Sequence, residues 1–263
     1  MRWYWMKIRI LIISKRMLLA SLLCTAILFV NAGLYIHRHL IISSFKEDSF
    51  SKKTIIIIDP GHGGIDTGTK TKDFIEKEIN LSVGKKIQRN LNDLRVKSIL
   101  TREGDYSLEQ MSLKEGSRHI RDLEGRLSII RKEEGSLLLS VHINSEPRDP
   151  QVTGAIVYYY ERDAESQKLA ETIQNHLNCV MKQYHLQEHK PRQGDYYLLR
   201  EGEIPGVIVE LGFITNQRER ELLKKEEYQV EIAKAIVSGI KEHIMEDEKT
   251  EAIDIPVIIS DEQ

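Results

Sequence analysis

The sequence predicts an α/β fold, with a twisted, mainly parallel or mixed central sheet flanked by helices and preceded by an N-terminal transmembrane segment. Two observations predict the sheet and its helices. Short continuous apolar runs recur, as strands covered on both faces require. Between them lie segments with apolar residues at helical spacing, and strict alternation of the two is the signature of helices packed on a sheet.

Residues 37–53 are mixed and mostly polar and read as a stalk. Residues 55–58 are four consecutive isoleucines closed by Asp59-Pro60-Gly61, which predicts a buried strand ending in a turn. After a glycine-rich loop, Ile79, Val83, Ile87, Leu91 and Leu94 mark one face of a helix over 75–94. A strand at 96–100, a polar segment and a helix over 123–131 follow. Further strands are expected at 136–143, 154–160, 196–199 and 207–211, with helices at 164–184, 217–224 and 228–245. The tail from Glu246 is acidic apart from a short apolar stretch and is expected outside the folded core, so the domain spans 54–245 and the tail 246–263.

The chain has 263 residues, 41% hydrophobic and 30% charged, enough apolar material for a core; its two cysteines are too few for a disulfide scaffold. The 38 basic and 40 acidic residues exclude a general nucleic-acid binder, which needs a basic surplus. That balance is uneven. Residues 1–50 hold seven Lys/Arg against Glu47 and Asp48, a leader at +5, which leaves 31 basic and 38 acidic side chains, or −7, for the remainder.

Residues 17–36 form an uncharged stretch of 20 residues with Asn31 its strongly polar member, long enough to cross a hydrocarbon core of ~30 Å. Arg2, Lys7, Arg9, Lys15 and Arg16 precede it, which retains that end in the cytoplasm and exports the body. Residues 1–36 therefore read as a basic stretch plus transmembrane anchor or signal peptide; Val30 and Ala32 form a loose cleavage site, and both forms stay open. Cys24 follows Leu23 where lipidation needs a small residue, and Cys179, alone in the body, reads as a packed helix residue.

Residues able to bind metal gather at strand ends and loops, where open α/β sheets concentrate chemistry. His62 lies among glycines after the first strand, Glu76 opens the first helix, and His142 sits near the end of the strand SLLLSVHI. Two imidazoles and a carboxylate are the protein's usual share of a catalytic zinc site. Glu210 is a carboxylate in the apolar strand VIVE, where burial demands a partner or a function. Taken singly, a strand histidine is also a common hydrogen-bonded core residue, and a helix-start glutamate a common dipole or capping group.

Four segments, DPGHGGIDTG, IEKEINL, SVHIN and VIVELGFITN, resemble in order the landmarks of the zinc-dependent N-acetylmuramoyl-L-alanine amidases of the amidase-3 type, over residues 54–244. TREGDYSLEQ and SRHIRDLEGR are similar to the spore-cortex, germination-specific subgroup, with its membrane leader and single catalytic domain. The resemblance implies Zn²⁺ held by His62, Glu76 and His142, with Glu210 as the catalytic carboxylate. Glu78 competes for the ligand role, but the family's ligand glutamate directly precedes a lysine, as Glu76 precedes Lys77. Asn144 and Arg102 match further landmarks, as substrate-binding residues or as supports of the site's loops. The implied reaction is cleavage of the amide between N-acetylmuramic acid and L-alanine, which in the subgroup precedes muramic δ-lactam formation. The implied partners are peptidoglycan glycan strands with stem peptides, the membrane through the N-terminal segment, and an activating partner protein.

Two rival readings remain. His185-Leu-Gln-Glu188-His189 matches the inverted zinc-protease word, but Pro191 ends the helix that would present both imidazoles. An amidase-like domain that binds peptidoglycan or regulates another hydrolase without cutting is the alternative function; intact His62, Glu76, His142 and Glu210 count against it. His119, His176 and His243 read as exposed or structural, His37 and His39 as membrane-adjacent, and the charged run 218–227 as a solvated helix face.

Overall fold

The computed structural model describes residues 54–253 together with Val30 and Asn31, which are helical. The chain divides into two compact units, Met1–Ser49 and Phe50–Gln263. Apart from Val30 and Asn31, the expected membrane span at 17–36 lies outside the described residues, as does the stalk up to Lys53. Among the described residues no helix is long and apolar enough to cross a membrane.

Six strands form the central sheet: β1 (Ile55–Pro60), β4 (Lys97–Leu100), β5 (Leu137–Asn144), β6 (Ile156–Tyr159), β7 (Arg192–Gln193) and β8 (Gly206–Phe213). Their order is β4-β1-β5-β8-β6-β7. The first four are parallel, β6 runs antiparallel to β8, and β7 is parallel to β6, so the sheet is mixed. A separate antiparallel hairpin of β2 (Lys70–Thr71) and β3 (Phe74–Ile75) leads directly into helix α1 (Glu76–Asp93).

Alternation along the strands builds two unequal layers. On one face Ile56, Ile58, Leu139, Val141, Val207, Val209 and Leu211 are buried with residues of α1, of α3 (Ala164–Gln183) and of α6 (Glu226–Ile253) in the larger core. On the other, Ile57, Leu138 and Ile208 pack with Leu127 and Ile130 of α2 (Arg118–Lys132) and with Leu198 and Leu199 of α4 (Tyr197–Glu201). Coverage of both faces explains why these strands read as unbroken apolar runs. On the second face each strand turns polar toward its carboxyl end: Ile57 gives way to Asp59, Leu138 to Ser140 and His142, Ile208 to Glu210. That polar margin is where the site forms.

The helix ends follow their local chemistry. Ser117 accepts from the Ile120 amide at the start of α2, and Asp163 accepts from Glu165 and Ser166 at the start of α3, satisfying amides that a first turn leaves unpaired. Asn216 does the same for the Glu219 amide in α5 (Gln217–Leu223). Four expectations are corrected. Residues 196–199 are not a strand: Leu198 and Leu199 lie in the short helix α4 and bury on α2, an ambiguity inherent to a four-residue apolar run. Helix α6 continues past 245 to Ile253, into the acidic segment. Cys179 is exposed on α3. Glu219, inside the charged run expected to be solvated, is completely buried.

Candidate metal centre and active site

The loop after β1 is shaped from behind by cations. Arg102 donates from Nε to the Pro60 carbonyl and from Nη2 to those of Gly61 and Lys77, and Arg126 donates to the carbonyls of Pro60 and His62. Lys77 reaches the Gly64 carbonyl at 2.7 Å and the Asp105 carboxylate at 2.6 Å. With its carbonyls held inward, the loop carries His62 at φ 62°, a left-handed conformation uncommon for a residue with a Cβ. Arg126 is itself buried against Asp59, which also accepts from Thr101 at 2.6 Å and Ser140 at 2.8 Å. Burial would raise the Asp59 carboxyl, but Arg126 and the two hydroxyls hold it below its ordinary value.

Glu76, the first residue of α1, is delivered by the β2–β3 hairpin and is 2% exposed. Its Oε2 accepts from the amide and hydroxyl of Thr69, both at 2.8 Å, and its Oε1 from the Ile143 amide at 3.0 Å. The same Oε1 lies 3.1 Å from His62 Nε2 and 3.2 Å from His142 Nδ1. Burial opposes ionisation, yet both histidines hold the carboxyl far below the usual range. Glu78, the competing carboxylate, is exposed.

His62 Nδ1 faces Asp66 Oδ2 at 2.9 Å, which directs Nε2 toward Glu76, the arrangement by which an outer carboxylate orients a ligand imidazole. Burial would lower the His62 pKa, but Glu76 and Asp66 push it up to about 9. The two imidazole rings sit edge to face with centroids 4.9 Å apart. Two glycines are required by close approach: a Cβ on Gly61 would fall 2.1 Å from the His142 ring, and one on Gly68 would fall 2.5 Å from Glu76 Oε2. Potential ligand atoms of His62, Glu76 and His142 lie within 4.8 Å of one another, the one such group of three among the described residues.

Glu210 is paired in register with His142 across β5 and β8, so both side chains leave the sheet on one face. Its Oε2 is buried with no hydrogen-bond partner. Burial, reinforced by Glu76 and opposed by the two histidines, pushes its carboxyl up to about 7. Tyr196, unremarked in the sequence, stands close enough to feel that charge: burial and then Glu210 raise its phenol to about 12, and its ring meets Tyr158 edge to face at 5.5 Å.

Of the two candidate substrate contacts, Asn144 lies at the end of β5, where its Oδ1 accepts from the Ser145 amide at 2.7 Å and its carbonyl from Ile214 at 2.8 Å. Arg102 is 1% exposed and donates to four backbone carbonyls, so it supports the His62 loop, one of the two roles its motif implied. The inverted-protease word is dispersed: α3 ends at Gln183, His185 takes φ 51°, and His189 Nε2 donates to the Thr153 carbonyl at 2.7 Å.

Residues 56–242 match the family of N-acetylmuramoyl-L-alanine amidases of the amidase-3 type. The germination-specific N-acetylmuramoyl-L-alanine amidase of Bacillus subtilis is 34% identical over 193 residues, 73% of this chain and 80% of its own. Among solved structures, the CwlD amidase of Clostridioides difficile, in complex with the GerS lipoprotein, is 34% identical with a TM-score of 0.65, over 74% of this chain and all of its own. The amidase AmiC2 of Nostoc punctiforme is 30% identical with a TM-score of 0.62, over 74% of this chain and 99% of its own. The chain therefore belongs to the amidase-3 family of N-acetylmuramoyl-L-alanine amidases.

Proposed function

We propose that this chain removes stem peptides from peptidoglycan by zinc-dependent hydrolysis of the amide between the lactyl group of N-acetylmuramic acid and L-alanine. The observation that carries the reading is the convergence of His62, Glu76 and His142 beside Glu210, whose buried Oε2 has no protein partner. Two imidazoles and one carboxylate fit a catalytic zinc, leaving room for water or substrate. When bound, zinc supplies Lewis acidity that brings water's pKa down to roughly 7 and polarises a carbonyl.

The remaining steps belong to the chain's own groups. Asp66 orients His62; Thr69 and the Ile143 amide fix Glu76. Glu210, with a carboxyl near neutrality, accepts the proton of the attacking water and returns it to the departing amine of L-alanine. Asn144, at the same strand end as His142, is a candidate substrate contact.

The germination-specific relative in Bacillus subtilis and the lipoprotein-bound relative in Clostridioides difficile support a role in spore-cortex maturation, where stripping the muramyl residue opens it to deacetylation and δ-lactam closure. By the same support, the domain works outside the cytoplasm, anchored or exported through its N-terminal segment, and an activating lipoprotein is its partner. The test is to purify the full chain, measure bound zinc, and follow release of stem peptides from cortex peptidoglycan by mass spectrometry, for the parent and Glu210→Gln. Zinc near one per chain with peptide release only by the parent is expected. A zinc-loaded parent that releases no peptide, alone or with a lipoprotein partner, overturns the reading in favour of a silent binding domain.

A further inference from the structure

The carboxylate of Glu219 ties β8, the strand that carries Glu210, to the segment leading into its neighbour β6. Its Oε1 accepts from the Gly154 amide, just before β6, and its Oε2 from the Phe213 amide, the last residue of β8, both at 2.8 Å. Glu219 is completely buried, and its own amide is capped by Asn216, whose side chain also donates to the Pro150 carbonyl at 2.9 Å. Both bridged segments bear on Glu210: Ile156 pairs with Glu210 across β6 and β8, and Phe213 lies three residues beyond it.

Between Glu210 and Phe213 the β5–β8 register shifts. His142 pairs with Glu210 and Asn144 with Phe213, so Leu211 and Gly212 oppose Ile143 alone. Such a bulge re-aims the neighbouring side chains and needs something to hold it. Gly212 has φ 154°, and a Cβ there would fall 2.7 Å from Glu219 Oε1, so the carboxylate lies directly against the bulged backbone.

We propose that Glu219 is a positioning residue for the amidase reaction: its carboxylate pins the β8 bulge to the start of β6 and thereby holds Glu210 opposite His142. Glu219 touches neither substrate nor metal and acts through Glu210, so the inference rests on the reading of Glu210 as the proton carrier. An amide in its place has one acceptor oxygen for two N–H donors and turns an NH₂ toward the other, which loosens the bulge while keeping the side chain's volume.

The test compares the parent, Glu219→Gln, Gly212→Ala and Glu210→Gln, each as the full chain loaded with zinc, for zinc content, KM and kcat. Glu219→Gln and Gly212→Ala are each expected to retain zinc and keep KM within about twofold, while kcat falls roughly 10- to 100-fold, the scale of a misplaced catalytic group. Glu210→Gln separates the two ideas. If it keeps parental activity, the functional reading itself fails; if it is inactive while Glu219→Gln matches the parent, only the positioning role fails. Loss of zinc in proportion to activity, or failure of both Glu219→Gln and Gly212→Ala to fold, also overturns the proposal, because Glu219 is then a general structural group.

Discussion

His142 and Glu210 stand opposite each other on neighbouring parallel strands, at the margin where the α2-covered face of the sheet turns from apolar to polar. This pairing joins the imidazole–carboxylate cluster to a carboxylate whose buried oxygen has no partner. If that carboxylate moves the protons, Glu210→Gln lowers kcat by about 10² to 10⁴, the usual range for a general acid–base group, with zinc content unchanged. A variant within tenfold of the parent in steady-state release of stem peptide counts against this role.

Arg126 and Asp59 form a buried ion pair beneath the His62 loop, 2% and 1% exposed. Removing one partner of such a pair strands the other charge, whereas replacing both can be nearly neutral. Arg126→Met is therefore expected to lower unfolding stability by about 3–5 kcal/mol in urea at pH 7, and adding Asp59→Asn should recover part of the loss. Loss of activity is expected in the single variant as well, because Arg126 also holds the His62 carbonyl. Equal stability of parent and Arg126→Met would show that the pair carries no weight in the fold.

How far the site could be read from sequence follows from the range of its interactions. His62, Glu76 and His142 were legible as metal-competent types because they sit in short local motifs, with glycines around His62; Glu78 is exposed. Asp59 read only as part of a turn and Arg126 as an ordinary helix residue, since the ion pair joins positions 67 apart. Glu219 was hidden in a run of charges that suits a solvated helix; its burial depends on Gly154, 65 residues away. The sheet was legible because strands covered on both faces leave continuous apolar runs, while 196–199 failed because four apolar residues carry no period.

Gly61 lies where the β1 turn passes the His142 ring, with no space for a methyl group. Gly61→Ala is expected to push the imidazole from Glu76 and to weaken zinc binding about 10- to 100-fold, the scale seen when support of a metal ligand is disturbed. Competition against a chelating dye measures this directly. Parental affinity in that assay would mean the loop can yield without moving His142.

Among the groups that make the stability of the chain depend on pH are two buried carboxyls of opposite sign, Glu219 and Asp59. Burial pushes Glu219 up to about 7, against the backbone amides of Gly154 and Phe213 and the charge of Arg218, which pull it down. A carboxyl raised above its unfolded value binds its proton more tightly when folded. Its contribution is fully present below about 4.5 and is lost as pH rises through about 7, on the order of 3 kcal/mol in all. Asp59 runs the other way: its folded value is depressed, so its contribution is present above the unfolded value and is lost as acid drives pH down through the folded one. In Glu219→Gln the loss between pH 5 and 7.5 should flatten relative to the parent, while the acid limb below pH 4 stays unchanged. Comparing the two proteins in urea at each pH cancels the titrations they share. Parallel curves between pH 5 and 7.5 would mean that Glu219 titrates alike in the folded and unfolded chain, and that burial does not govern it.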